Sequence, residues 1–191
     1  MITQVDKIIV YHNEDLVGTL QMTPDGKSCV FEYSQQWLRD GFALSPLELP
    51  LSSDLLYAQP DKFDGNFAVF EDSMPDEYGL YLIDRMLRKE GFQLKNLTPL
   101  QRLAIVGSSG MGALRYEPYI ELDKSDMKVS MDQLDEVQQK ALDILSEKDE
   151  GDESLLYYNS ANSGGARPKV VMADSQGTHW LIKFRHTYDS A

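Results

Sequence analysis

The stretch KIIVYHNEDLVGTLQMTPDGKSCVFEY, residues 7–33, decides the fold. Lys7 to Tyr11 is rich in β-forming residues, His12-Asn13-Glu14-Asp15 supplies a polar turn, and Leu16 to Met22 returns. Thr23-Pro24-Asp25-Gly26 turns the chain again. From Ser28 to Tyr33 the residues Cys29, Phe31 and Tyr33 alternate with Ser28, Val30 and Glu32, the period of a strand with one face on a core. These segments predict an antiparallel meander whose apolar face needs a cover.

Outward from the meander, Trp37-Leu38 and the run Phe42 to Pro50 offer that cover as irregular chain, because Pro46 and Pro50 exclude a central strand. Phe67 to Phe70 reads as one more short strand, after which the period changes to that of helices. Ser73 can cap a helix with Asp76 and Glu77 at its positive end, Leu80, Ile83 and Leu87 on one stripe, and Arg88-Lys89 before a stop at Gly91. Thr98-Pro99-Leu100-Gln101 carries a capping box with proline at the first helical position, predicting a short helix to about Val106. Gly107 to Gly112 opens a loop, Ala113 to Tyr116 suits a strand, and the first unit closes near Pro118.

From Glu121 the composition turns acidic. Ser130 and Gln133 box the start of a third helix striped by Leu134, Val137, Ala141, Ile144 and Leu145. Glu147 to Glu153 reads as a solvated charged loop and a boundary. A Gly/Ser-rich loop, Ser160 to Ala166, then precedes two strand-like runs, Lys169 to Ala173 and His179 to Phe184, joined by the turn Asp174 to Gly177. A two-stranded hairpin is marginal alone, so this part reads as an opened element awaiting more sheet.

Composition removes several functions. The 191 residues are 42% apolar, enough for one sizeable core or two small ones. Eighteen Lys and Arg against 31 Asp and Glu leave a net charge of -13, a surface that repels a phosphate backbone, so direct nucleic-acid binding is not expected. No apolar run spans a bilayer and no leader pattern follows Met1, so no membrane association and a cytoplasmic location are expected. Cys29 sits in the alternating run as a packed thiol, and His12, His179 and His186 share no metal-ligand spacing. No metal site is expected.

One constellation points toward chemistry. A glycine-rich loop lets backbone N–H groups approach phosphate oxygens, and a lysine on the neighbouring strand can pair with them. Asn162-Ser163-Gly164-Gly165-Ala166-Arg167-Pro168-Lys169 followed by Lys183 fits that description, without Walker spacing or GxGxxG. The cluster Gly107 to Gly112 is more economically a turn, and Glu71, Asp72, Asp76 and Glu77 are more economically acids at a helix start than an acid-base pair.

At these residues the chain resembles a known family. Glu71-Asp72-Ser73-Met74-Pro75-Asp76-Glu77-Tyr78-Gly79 with Leu82-Ile83-Asp84-Arg85 resembles the SLPDGWG and LLDR signature of the HipA family, bacterial serine/threonine kinases acting as toxins of type II toxin-antitoxin systems. Leu103-Ala104-Ile105-Val106-Gly107 and Gly110-Met111-Gly112-Ala113-Leu114 are similar to its next segment. Gly164 to Lys169 and Trp180-Leu181-Ile182-Lys183-Phe184 resemble the GGARPK and W-IKF that open its kinase core, and Trp37, Gly41, Leu44-Ser45-Pro46 and Leu49-Pro50 match its early region.

The resemblance implies an α+β fold. An antiparallel, partly barrel-like N-terminal sheet with flanking helices occupies 1–118, an acidic linker with a helix 119–153, and the truncated beginning of a kinase-like N-lobe sheet 154–191. It implies an ATP site lined by Ser163, Gly164, Gly165 and Ala166, with Lys169 beside the loop and Lys183 as the strand lysine that contacts the phosphates. In several members a serine ahead of the paired small residues is autophosphorylated. The matching place here holds Asn162, with Ser160 and Ser163 on either side as possible substitutes.

The resemblance also implies ATP and Mg2+ as cofactors of the complete enzyme, but the catalytic base and metal ligands lie in the family well beyond the strand lysine. No catalytic residue is therefore expected in this chain, and neither cofactor is expected to be bound firmly by it alone. Implied partners are a protein substrate and either a HipB-like DNA-binding antitoxin or a separate kinase-core polypeptide. The competing expectation is a non-catalytic interaction module, for which acidic charge suits a partner with a basic surface.

Overall fold

The computed structural model describes residues 3–110, 112–122, 129–146, 153–160 and 165–185. It divides into two compact units, residues 1–74 with 95–121 and residues 75–94 with 122–191.

The first unit is an open five-stranded sheet and its covers. β1 (Lys7–His12), β2 (Asp15–Met22) and β3 (Cys29–Tyr33) form the meander, with Ile8 opposite Leu20 and Leu20 opposite Phe31. α1 (Gln35–Asp40) follows, capped by the Ser34 side chain, which accepts from the Trp37 N–H. The two-residue β4 (Leu56–Tyr57) pairs with β3, and β5 (Leu114–Glu117) pairs with β1, so the order is β4-β3-β2-β1-β5. The sheet is antiparallel throughout and is not closed into a barrel: β4 and β5 are its edges.

The cover matches the sequence in part. Irregular chain after α1 does bury Leu49, fixed by Tyr33, whose hydroxyl donates to the Leu49 carbonyl at 2.7 Å and accepts from the Leu44 N–H at 2.9 Å. The expected strand at Phe67 to Phe70 is instead helical, α2 (Ala68–Glu71). Its apolar run carries both Phe67 and Phe70 into the core, and a helical turn brings both rings to one side where a strand would face them differently. α4 (Pro99–Val106), the next helix of this unit, has the expected capping box at Thr98 and Gln101 and buries Leu100, Leu103, Ala104 and Val106. Cys29 is fully buried, its thiol pushed up to about 12 by burial and secondarily by the Glu71 charge, as befits a packing residue.

The second unit contains α3 (Glu77–Lys89), α5 (Leu134–Leu145), α6 (Glu153–Ser160) and the antiparallel hairpin of β6 (Lys169–Ala173) with β7 (His179–Lys183). Ser130 and Gln133 form their capping box ahead of a single 3-10 turn that leads into α5. Two expectations about α3 are corrected. Its cap is Asp76 rather than Ser73, because Pro75 biases the residue before it away from helical angles and the Asp76 carboxylate is the next acceptor. Its buried face is Tyr78, Leu82, Ile83, Met86 and Leu87, with Leu80 only half-buried. Among the described residues no helix is long and apolar enough to cross a membrane.

Candidate functional site

Gly165, Ala166, Lys169 and Lys183 lie in the second unit, where Lys169 enters an ion pair that no sequence pattern announced. Asp76, as cap of α3, uses one carboxylate oxygen to accept from the Gly79 N–H at 3.0 Å. A side chain at Gly79 would put its Cβ 2.5 Å from the Pro75 ring, so the motif Pro75-Asp76-Glu77-Tyr78-Gly79 is a tightly packed helix start. The other Asp76 oxygen accepts from the Lys169 ammonium at 2.7 Å.

Lys169 opens β6 and is 1% exposed, so its charge is withdrawn from water and must be matched locally. Besides Asp76 it donates to the carbonyl of Gly165. Gly165 has φ +110°, a conformation that side chains of L-residues rarely adopt, which makes glycine the residue that can present this carbonyl to the ammonium. Lys169 thus ties the end of the glycine loop to the start of α3. Sequence reasoning placed Lys169 beside the loop; it assigned Asp76 only to the helix dipole and missed the pair.

The other expected site residues are distributed as follows. Gly165 and Ala166 are exposed, while Ser163 and Gly164, with Asn162, lie outside the described residues. Lys183 ends β7 directly opposite Lys169 in the ladder and is exposed. Paired residues of an antiparallel ladder project to the same face. One lysine of the pair is therefore buried as an anchor and the other is presented to solvent. Ser160 is the last residue of α6, 4% exposed, and its hydroxyl donates to the Tyr157 carbonyl at 3.0 Å. No group of three His, Cys, Asp or Glu side chains suited to a metal ion occurs among the described residues.

Of the residues 147–153 read as a solvated charged loop, 147–152 lie outside the described residues, and Glu153 departs from that reading. It begins α6, is 1% exposed, and accepts from Arg85 Nε at 2.9 Å and Lys89 Nζ at 2.5 Å. Burial acts to raise its pKa, but the bonds from Lys89 and Arg85 outweigh it and hold the carboxyl below its usual range. The Arg85 of the LLDR-like segment thus joins α3 to α6. A residue with a depressed folded pKa contributes stability that is present above the unfolded value, 4.5, and lost as pH falls through the folded one. The urea midpoint of the wild type should therefore exceed that of Glu153→Gln at about pH 6 and converge on it by about pH 3. A gap independent of pH would show that the carboxylate charge contributes nothing.

Among the described residues the site thus sets an exposed ammonium, that of Lys183, across the ladder from Lys169, whose own charge is taken up by Asp76 and the Gly165 carbonyl. The model of the HipA N-terminal domain family matches residues 8–117 of the chain, covering the five-stranded sheet from Ile8 on and α1 to α4, and stopping before α5 and the hairpin. No curated protein matches the chain.

Proposed function

From the premise that the chain belongs to the HipA N-terminal domain family, we propose that it is the N-terminal portion of a HipA-like serine/threonine kinase toxin of a type II toxin-antitoxin system, acting in the cytoplasm. Its hairpin supplies one wall of an ATP site, and the base and Mg2+ ligands come from a kinase core beyond these residues. The observation that carries this reading is the paired register of Lys169 and Lys183: a buried lysine holds the glycine loop while an exposed one projects from the same face.

Bound Mg-ATP would supply the phosphoryl group for a protein hydroxyl. The residues of this chain would bind and orient it: the amides of Gly165 and Ala166 would meet the phosphates, and Lys183 would neutralise charge there. Lys169 keeps the loop in place through Asp76. Ser163 or Ser160 would receive phosphate in self-inhibition, the latter after the end of α6 releases its hydroxyl from Tyr157.

Mg-ATP titration followed by NMR at the amides of Gly165, Ala166 and Lys183 tests the reading. Saturable shifts are expected, weakened about tenfold or more in Lys183→Ala. Shifts unchanged in that variant, or absent at millimolar Mg-ATP, would overturn it in favour of a non-catalytic module that engages an antitoxin or a kinase core. The end of the family match at residue 117, before α5, α6 and the hairpin, is what favours that second reading.

A further inference from the structure

The first unit contains a small aromatic cavity that neither the family match nor the nucleotide reading uses. It has a volume of about 260 Å3 and is walled by His12 at the end of β1, Trp37 of α1 and Phe42 just beyond α1, with Asp15 and Asp40 also lining it. The three rings form a cluster, their centroids 5.6 Å (His12 to Trp37), 5.5 Å (His12 to Phe42) and 5.1 Å (Trp37 to Phe42) apart.

The walls are held from behind. Trp37 Nε1 donates to the Phe42 carbonyl at 2.9 Å, the Gly41 N–H donates to the Trp37 carbonyl at 2.7 Å, and Ser34 Oγ donates to the Leu16 carbonyl at 2.7 Å. A Cβ at Gly41 would stand 2.5 Å from the indole, so the chain passes directly under the ring and a larger residue would displace it. Phe42 is nevertheless 53% exposed, an aromatic surface left to solvent. Asp15 and Asp40 are exposed as well, and among the described residues neither carboxylate has an ion pair or a hydrogen bond.

We propose that this cavity is a docking site for an arginine side chain from a basic segment of a partner protein. Three aromatic rings line the cavity, and aromatic rings attract a cation through their π systems, while the two carboxylates add the opposite charge at the same opening. An anion is repelled by those carboxylates, and by a chain whose net charge is -13. The volume is below the roughly 300–1,000 Å3 of small-molecule and cofactor pockets, which selects a single side chain over a whole ligand. Guanidinium is favoured over ammonium because its plane can stack on a ring while its fork reaches a carboxylate. The proposal is independent of the ATP reading.

The test uses N-acetyl-arginine amide, titrated into the chain while the Trp37 indole N–H resonance is followed. A saturable shift is expected, about tenfold weaker with the uncharged citrulline analogue and about tenfold weaker in the Asp15→Asn/Asp40→Asn protein. Both aspartates are exposed and unpaired among the described residues, so that variant keeps its fold, which its spectrum verifies. An unmoved indole signal, equal binding of citrulline, or choline binding tighter than the arginine probe would each overturn the assignment.

Discussion

Phe70→Ala is expected to cost the first unit about 3–5 kcal/mol, the range for truncating a buried aromatic where the surroundings cannot collapse. Phe70 is fully buried on α2, with its ring 5.3 Å from Phe31, 5.9 Å from Phe67 and 6.3 Å from Tyr116. Phe31 lies on β3 and Tyr116 on β5, so one ring joins a helix to strands on both halves of the sheet. Its removal leaves a void bordered by three rigid rings. Tyr116 is further fixed by the hydrogen bond of its hydroxyl with Ser73 Oγ at 2.5 Å, which limits relaxation into the space. Urea unfolding monitored by circular dichroism measures the loss; a value below about 1 kcal/mol would mean that α2 is not seated on the sheet as described.

Lys169→Met carries the second large effect, about 3 kcal/mol in the second unit, because it leaves the Asp76 carboxylate without its partner in a site 16% exposed on that side. Asp76→Asn should cost less, since the amide oxygen still accepts from the Gly79 N–H and preserves the cap of α3. The informative comparison is the double variant. Once both charges are gone the buried stem of methionine packs without an unpaired ion, so Lys169→Met should cost far less in the Asp76→Asn background, with a coupling of about 2 kcal/mol. Additive losses would show that Lys169 is stabilised mainly by packing and by the Gly165 carbonyl. The same variants separate anchoring from ligand contact: Lys169→Met loosens the loop, whereas Lys183→Ala leaves stability nearly unchanged because the exposed Lys183 has no hydrogen bond or ion pair among the described residues.

What was legible in the sequence is what neighbouring residues decide among themselves. The turns after β1 and β2, the alternation of Cys29, Phe31 and Tyr33, the boxes at Thr98 and Ser130 and the turn between β6 and β7 all depend on partners a few residues apart. Charge and the ordered motifs of the family were equally readable. Phe67 to Phe70 was misassigned because a short apolar run has no period of its own, and the side it must bury is set by Phe31 and Tyr116 elsewhere in the chain.

The site divides along the same line. Glycine and lysine types at 164–169 and 183 could be picked out as residues suited to a phosphate, but which lysine is buried and which is offered to solvent could not. That choice depends on Asp76, far away in sequence, standing 2.7 Å from one of them. Glu153 likewise belongs by composition to a solvated run and by contact to Arg85 and Lys89. Local preferences thus specified the strands, caps and turns, since their hydrogen bonds close within a few residues. Tertiary structure alone decided which charges are paired away from water and which rings line the cavity at Trp37, because burial depends on groups brought together only when the chain has folded.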